Sequence, residues 1–234
     1  MIKLVAVVGK RPGWTDEEWY SHYFDQHGPL VAATKGFTKN TIRYRQNYVL
    51  GDTSGNSFEH THPRNGVTEL WFHGMDALAR AFSAPDYQAM VRPDEALFAD
   101  PESIILGIGT EHSMYASTVP SGDKAIAKQS RIHLFVFGGI DHRSVTQHPL
   151  PPNVRRHVQT RFIPTDFTLG NSHRFAMVDE FWFDSEEDAR GIKASYRSGG
   201  DRRLPSAAGS VDELILVTRS HVVFNPEVLP QETL

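Results

Sequence analysis

A six-residue run occurs twice in this chain, and the repeat limits the folds open to it. Val67-Thr68-Glu69-Leu70-Trp71-Phe72 recurs 111 positions later as Val178-Asp179-Glu180-Phe181-Trp182-Phe183. Without a gap, the same offset pairs Arg92 with Arg203, Ala96 with Ala207, Glu102 with Glu213 and Ile104 with Ile215. The chain holds 4 Trp, and two of them fall on matched positions. Two copies of one module, fused head to tail, are therefore expected. The 234 residues leave room for two modules of about 110 residues each. Fused copies can diverge, one keeping the chemistry while the other supplies a wall.

The first copy reads as β-α-β-β-α-β, the split ferredoxin-like unit. Residues 3–8 are an apolar run of strand length, broken by Gly9-Lys10-Arg11-Pro12-Gly13. Thr15-Asp16-Glu17-Glu18 is a capping box that opens a helix. On that helix Trp19, Tyr23 and His27 stand four apart on one face. Gly28-Pro29 interrupts it, with a second helical segment open to residues 30–33. Residues 41–49 and 67–72 give two strands, 75–82 a helix, and 104–108 the last strand, after an irregular stretch to about Asp100. The second copy supplies strands at 132–137, around 153–159, at 181–183 and at 214–218, with a helix at 185–195. Asn153, Arg156 and Gln159 match Asn40, Arg43 and Gln46 at an offset of 113.

The copies differ where the first helix belongs. Pro149, Pro151 and Pro152 occupy that stretch of the second copy and cannot form it. The second copy thus lacks counterparts of Trp19, Tyr23 and His27. The expected organisation is a module over 1–116 carrying the site, a small polar linker over 117–130, a degenerate module over 131–224, and a tail over 225–234.

Each module's sheet has helices on one face only, so two bare faces are expected to pack together. On the third strand Glu69, Trp71 and His73 point one way, and Leu70 and Phe72 the other. The apolar pair is expected under the helices. The Glu/Trp face is expected to meet the other sheet and to line a cleft for a small molecule.

Bulk composition excludes several partners. Net charge is −4 with no basic run, which argues against nucleic acid. No apolar stretch reaches the roughly 20 residues of a bilayer span, so no membrane partner is expected. The 0 Cys exclude disulfides and thiolate metal sites, and fit a cytoplasmic protein.

With these residues in hand, the chain resembles the EthD-like family of the dimeric α/β-barrel superfamily. The carrying residues are the first strand with Lys10-Arg11-Pro12-Gly13, the Thr15-Asp16-Glu17-Glu18-Trp19 helix start, Tyr23-Phe24-Asp25-Gln26-His27-Gly28-Pro29-Leu30-Val31, and Thr68-Glu69-Leu70-Trp71-Phe72. The resemblance covers most of residues 2–110 and, more weakly, 131–220. It implies an α+β fold in which two ferredoxin-like modules form one barrel within the chain. It also implies that His27 sits at the barrel mouth as an acid or base. Relatives in the superfamily include cofactor-free monooxygenases, decarboxylases, dehydratases and cyclases of aromatic or polyketide compounds.

Each candidate residue has a structural alternative. His27 is a proton-transfer group, or a packing histidine at a helix break. Glu69 and Glu180 are acids beside a ligand, or, as favoured here, partners of a strand-two arginine such as Arg43 or Arg156, repeated because the fold is repeated. Trp19, Tyr23, Tyr44, Trp71, His73 and Trp182 line an aromatic pocket or pack a core. His60-Thr61-His62, with Glu59, could hold a metal, but the donor set is short and no metal is assigned. The leading expectation is an enzyme without organic cofactor, of lyase type (decarboxylase or dehydratase), acting on a small hydrophobic or aromatic molecule with His27 and Glu69. The alternatives are a cofactor-free monooxygenase of aromatic compounds and a non-catalytic protein that shields a hydrophobic metabolite. A homodimer of such chains is compatible with either.

Overall fold

The structure is a computed structural model that describes residues 1–51, 63–116, 132–138, 150, 153–164, 175–197 and 214–224. The strands of the first half are β1 (Ile2–Val8), β2 (Thr41–Val49), β3 (Gly66–Phe72) and β4 (Ile105–Ala116). Those of the second half are β5 (Ile132–Gly138), β6 (Arg156–Phe162), β7 (Met177–Phe183) and β8 (Leu214–Phe224). They form a closed antiparallel barrel in the order β1-β3-β2-β8-β5-β7-β6-β4. Each half therefore contributes one four-stranded sheet, β4-β1-β3-β2 and β8-β5-β7-β6. The expected face-to-face contact is achieved by joining edges. β2 hydrogen-bonds to β8 and β4 to β6, so the two bare faces curl into a shared interior with no free edge.

Strand register ties the sequence repeat to the fold. Arg43 lies opposite Trp71, and Arg156 opposite Trp182. Val5 sits between Glu69 and Gly107, as Phe135 sits between Glu180 and Leu216. The offsets of 111 and 113 thus hold at β3/β7 and β2/β6. The ungapped match of Ile104 to Ile215 does not hold, because register equates Leu106 with Ile215. Two residues have slipped before the last strand.

The helices lie on the outside. The Thr15 capping box forms as expected: Glu18 N–H donates to Thr15 Oγ1 at 3.2 Å and Thr15 N–H to Glu18 Oε2 at 2.9 Å. It starts α1 (Asp16–Ser21), which runs into a π-helical turn over His22–His27 and then α2 (Gly28–Ala33) and α3 (Lys35–Thr38). Gly28-Pro29 does not break the path, since Pro29 falls in the first turn of α2, where a missing N–H costs nothing. After α4 (Met75–Phe82) the stretch read as irregular is helical: a π-turn over Tyr87–Val91 and then α5 (Arg92–Phe98). Pro93 again sits in the first helical turn, with Asp94 and Glu95 beside it. The second half shows α6 (Glu186–Arg197). Between β5 and β6 the described residues contain no helix. The linker, the proline stretch and the C-terminal tail lie mostly outside the described residues.

Three apolar clusters follow from this arrangement. One fills the space between the first sheet and its helices, around Trp19, Tyr23, Phe37 and Phe72. A second fills one end of the barrel interior, around Val5, Val67, Phe135 and Leu216. The third lies between the second sheet and α6, around Leu134, Phe181 and Ile192. Among the described residues no helix is long and apolar enough to cross a membrane.

Residues 1–116 expressed alone leave the edges of β2 and β4 unpaired and uncover the interior face. We expect that fragment to dimerise or aggregate. Sedimentation velocity checks this, and a well-behaved monomer would count against interdependent sheets.

Candidate active site

The expected site residues separate into two places on opposite faces of the first sheet. Tyr23, Tyr44 and His27 line a cavity of about 540 Å³ between the outer face of that sheet and its helices. Glu69, Trp71, Glu180 and Trp182 lie inside the barrel and do not line it. The cleft expected on the Glu/Trp face is thus replaced by a cavity on the Leu70 face. The physical reason lies in side-chain size and charge. The Glu/Trp face is filled by long charged and aromatic groups from both sheets. The helix side has short ones, Ala6 in the floor and Ala79, Ser83 and Ala99 above it.

Inside the barrel, the Lys3 ammonium meets three carboxylates: Glu69 at 2.6 Å, Glu180 at 3.0 Å and Glu111 at 3.1 Å. Arg45 bridges Glu69 at 3.1 Å and Glu180 at 2.9 Å. Trp182 Nε1 donates to Glu180 at 2.6 Å, and Trp71 Nε1 to Glu111 at 3.1 Å. The expected salt bridge to a strand-two arginine forms, through Arg45 rather than Arg43 or Arg156, and Lys3 joins it. Arg43 and Arg156 instead stack over Trp71 and Trp182, both at 4.9 Å. Lys3 lies over Trp71 at 4.7 Å, and its register equivalent His133 stacks on Trp182 at 4.8 Å. Burial alone would raise the Glu180 carboxyl, but Lys3, His133 and Arg45 hold it well below the ordinary carboxylate range. Glu69, His133 and Glu180 offer ligand atoms within 4.8 Å of one another. Lys3 and Arg45 already take those carboxylates, so the set suits a structural ion network better than a metal. His60, His62 and Glu59 lie outside the described residues.

The cavity side carries proton-transfer groups. His27 is buried in its wall, stacked on Tyr23 at 6.0 Å and against Phe98 at 5.0 Å. Trp19 stacks on the far side of Tyr23 at 4.6 Å and packs on the backbone of Gly66, where a Cβ would come within 2.7 Å of its ring. It supports the wall without lining the cavity. His73 is exposed at the end of β3 and belongs to neither place.

Three residues that the sequence did not single out, Asp94, Glu95 and Tyr87, complete the site. Asp94 in α5 bonds His27 Nδ1 at 2.7 Å and His22 Nε2 at 2.9 Å. Burial works against its charge, but the bond from His27 and the two imidazoles hold the carboxyl below its ordinary value. An ionised carboxylate only accepts, so His27 Nδ1 carries the proton and Nε2 is left with the lone pair. Glu95, one position on, lines the cavity, and burial pushes its carboxyl up although Tyr87 donates to it at 2.7 Å. The Tyr44 hydroxyl, beside the Gln46 amide, is buried without a hydrogen bond, and burial raises its pKa well above the ordinary value, so it stays a donor. The signal for Asp94 and Glu95 was a proline followed by two acids, a helix start, in a stretch that reads as irregular in the sequence.

Residues 11–102 match the sequence model of the EthD domain. No curated protein is a significant match to the chain. Among solved structures, an anthrone oxidase-like protein is similar at a TM-score of 0.60 and 9% identity, over 95% of this chain and 92% of that chain. An EthD-family protein of Bacillus halodurans is 23% identical, with a TM-score of 0.37, over 48% of this chain and 99% of that chain. The EthD match falls in the first half of the chain, where the motifs predict it.

Proposed function

We propose that this EthD-domain barrel is a small-molecule enzyme in which His27 moves a proton to or from an apolar, planar substrate held in the cavity beneath the first sheet's helices. The observation that carries the reading is the His27–Asp94 pair in the wall of a large apolar cavity. The aspartate fixes the imidazole tautomer, so Nε2 is the atom that takes a proton from a phenolic or enolisable group. Apolar walls bury flat rings and exclude water, which strengthens the acid–base step. The reading covers residues 1–116 as the catalytic module and 131–224 as a second, divergent copy whose sheet completes the barrel.

Two chemistries start from that step. Lyase chemistry expels water or carbon dioxide from the ionised substrate. Monooxygenation adds dioxygen to it, which the apolar walls admit, as a peroxide that keeps one oxygen atom in the product and loses the other as water, and the fold likeness to an anthrone oxidase-like protein suits this second reading. Product analysis of a hydroxylated polycyclic ketone, incubated in air and under argon, separates them. Turnover in both atmospheres, without oxygen in the product, is the expected lyase result. Turnover in air alone selects the oxygenase. Binding without turnover in either would leave a carrier of hydrophobic metabolites.

A further inference from the structure

The cavity's few polar groups restrict what it can hold. Glu95 is a carboxylate in a wall otherwise built mostly of apolar and aromatic side chains. Arg92, at the cavity's edge, is 3.7 Å away with a side chain 58% exposed, so that charge is largely spent on solvent. The hydroxyl of Tyr44 lies free and protonated in the same wall. A carboxylate ligand would set a second negative charge against half-buried Glu95, with only the exposed Arg92 and a His27 imidazole already committed to Asp94 to offset it, which costs several kcal/mol. A neutral molecule carries no such penalty. It gains a charge-assisted bond if its hydroxyl donates to Glu95, and a neutral one if its carbonyl accepts from Tyr44.

Resting on the reading of this cavity as the substrate site, we propose that it selects neutral, flat, hydroxyl-bearing ligands and rejects carboxylates, with Glu95 as the specificity-determining residue. Of the lyase chemistries, this favours loss of water over loss of carbon dioxide, because the substrate enters without a carboxylate to lose.

Three probes with one ring system test this on the unmodified protein by calorimetric titration at pH 7.5: 2-naphthol, 2-methoxynaphthalene and 2-naphthoate. We expect 2-naphthol to bind tightest. The methoxy analogue, which cannot donate, should be roughly tenfold weaker, the loss of one bond to a charged group. The carboxylate should be about a hundredfold weaker, as burial of an unpaired ion dictates. Glu95→Gln should close most of the gap between naphthol and naphthoate. Naphthoate or the methoxy compound binding as well as naphthol would overturn the selectivity while leaving the cavity as a ligand site. So would a folded Glu95→Gln protein with the gap intact. If none of the three binds, or if binding ignores the cavity-filling Leu78→Trp, the cavity reading itself falls and the selectivity with it.

Discussion

Replacing Lys3 with Met should remove about 3–5 kcal/mol of stability at pH 7, the cost of breaking a buried ion network by deleting one partner. Total stability of a domain is about 5–15 kcal/mol, so the variant is expected to sit near the edge of folding. Lys3 is fully buried, and its ammonium is the contact shared by Glu69, Glu111 and Glu180. Met keeps the apolar stem but leaves the three carboxylates facing Arg45, with only His133 beside Glu180 to help. The pH dependence has a definite sign. In the native protein the Glu111 and Glu180 carboxyls are held below their ordinary value of 4.5, against the upward push of burial, with Lys3 the first of the charges that do so. That stability is present above about pH 4.5 and lost as pH falls through the lower folded values. The ammonium is itself raised, so its share is present below 10.5 and lost only as pH climbs beyond that. In Lys3→Met burial dominates, the carboxyls titrate above their ordinary value, and protonation restores the fold. The gap between the two proteins should be widest at neutral pH and narrow toward pH 4. Denaturant unfolding at pH 7 and pH 4.5 reads both numbers. A deficit under about 1 kcal/mol at pH 7 would mean that the network does not hold the barrel together.

That network also shows where the sequence was legible and where it was not. The duplicated Glu-x-Trp strand predicted two matched sheets, and register places the Arg43–Trp71 and Arg156–Trp182 pairs at equivalent positions. A repeated pattern of period two is a strong signal, because a slip of one residue would turn every side chain to the other face. A strand-two arginine was legible as partner of Glu69 and Glu180, but Lys3 was not. Lys3 lies 66 positions before Glu69 and 177 before Glu180, in a strand that reads as plain hydrophobic. Its register equivalent is His133 rather than a second lysine, and Arg45 is matched by Val158. One set of cations therefore serves both halves, and nothing local to either glutamate announces it.

The face of the cavity was misjudged for a related reason. Alternation separates Glu69 and Trp71 from Leu70 and Phe72, but it does not say which face leaves space. Polar groups near aromatic ones suggested a ligand cleft, and they turned out to satisfy one another. Space remained where short side chains oppose each other beneath the helices, a property of packing in three dimensions. His27 and Tyr23 reach it on the helix face that their four-residue spacing predicts, and Tyr44 from the helix side of β2.

Removing the His27 imidazole should lower kcat by about 10²–10⁴, the usual share of a positioned acid or base, while 2-naphthol still binds within a few-fold of the parent affinity. The side chain lines the cavity wall beside Tyr23 and Phe98, so Ala enlarges the pocket without opening the barrel. Asp94 keeps its bond to His22 in the variant, which limits the unpaired charge left behind. The stability loss should then stay near the ~1.5–3 kcal/mol of one charge-assisted hydrogen bond. Asp94→Asn makes the complementary test, because Asn leaves the size of the site unchanged but no longer compels the proton onto Nδ1. It should lower kcat with KM nearly constant, the pattern of a positioning residue. Its stability should fall below the parent's at neutral pH and converge with it as pH drops through the depressed Asp94 value, since the native carboxylate contributes only while ionised. A loss above about 4 kcal/mol in His27→Ala, with kcat of the folded fraction intact, would make the imidazole a packing group. The proton would then have to be moved by Glu95, the cavity-wall carboxylate that burial pushes up against the hydrogen bond from Tyr87.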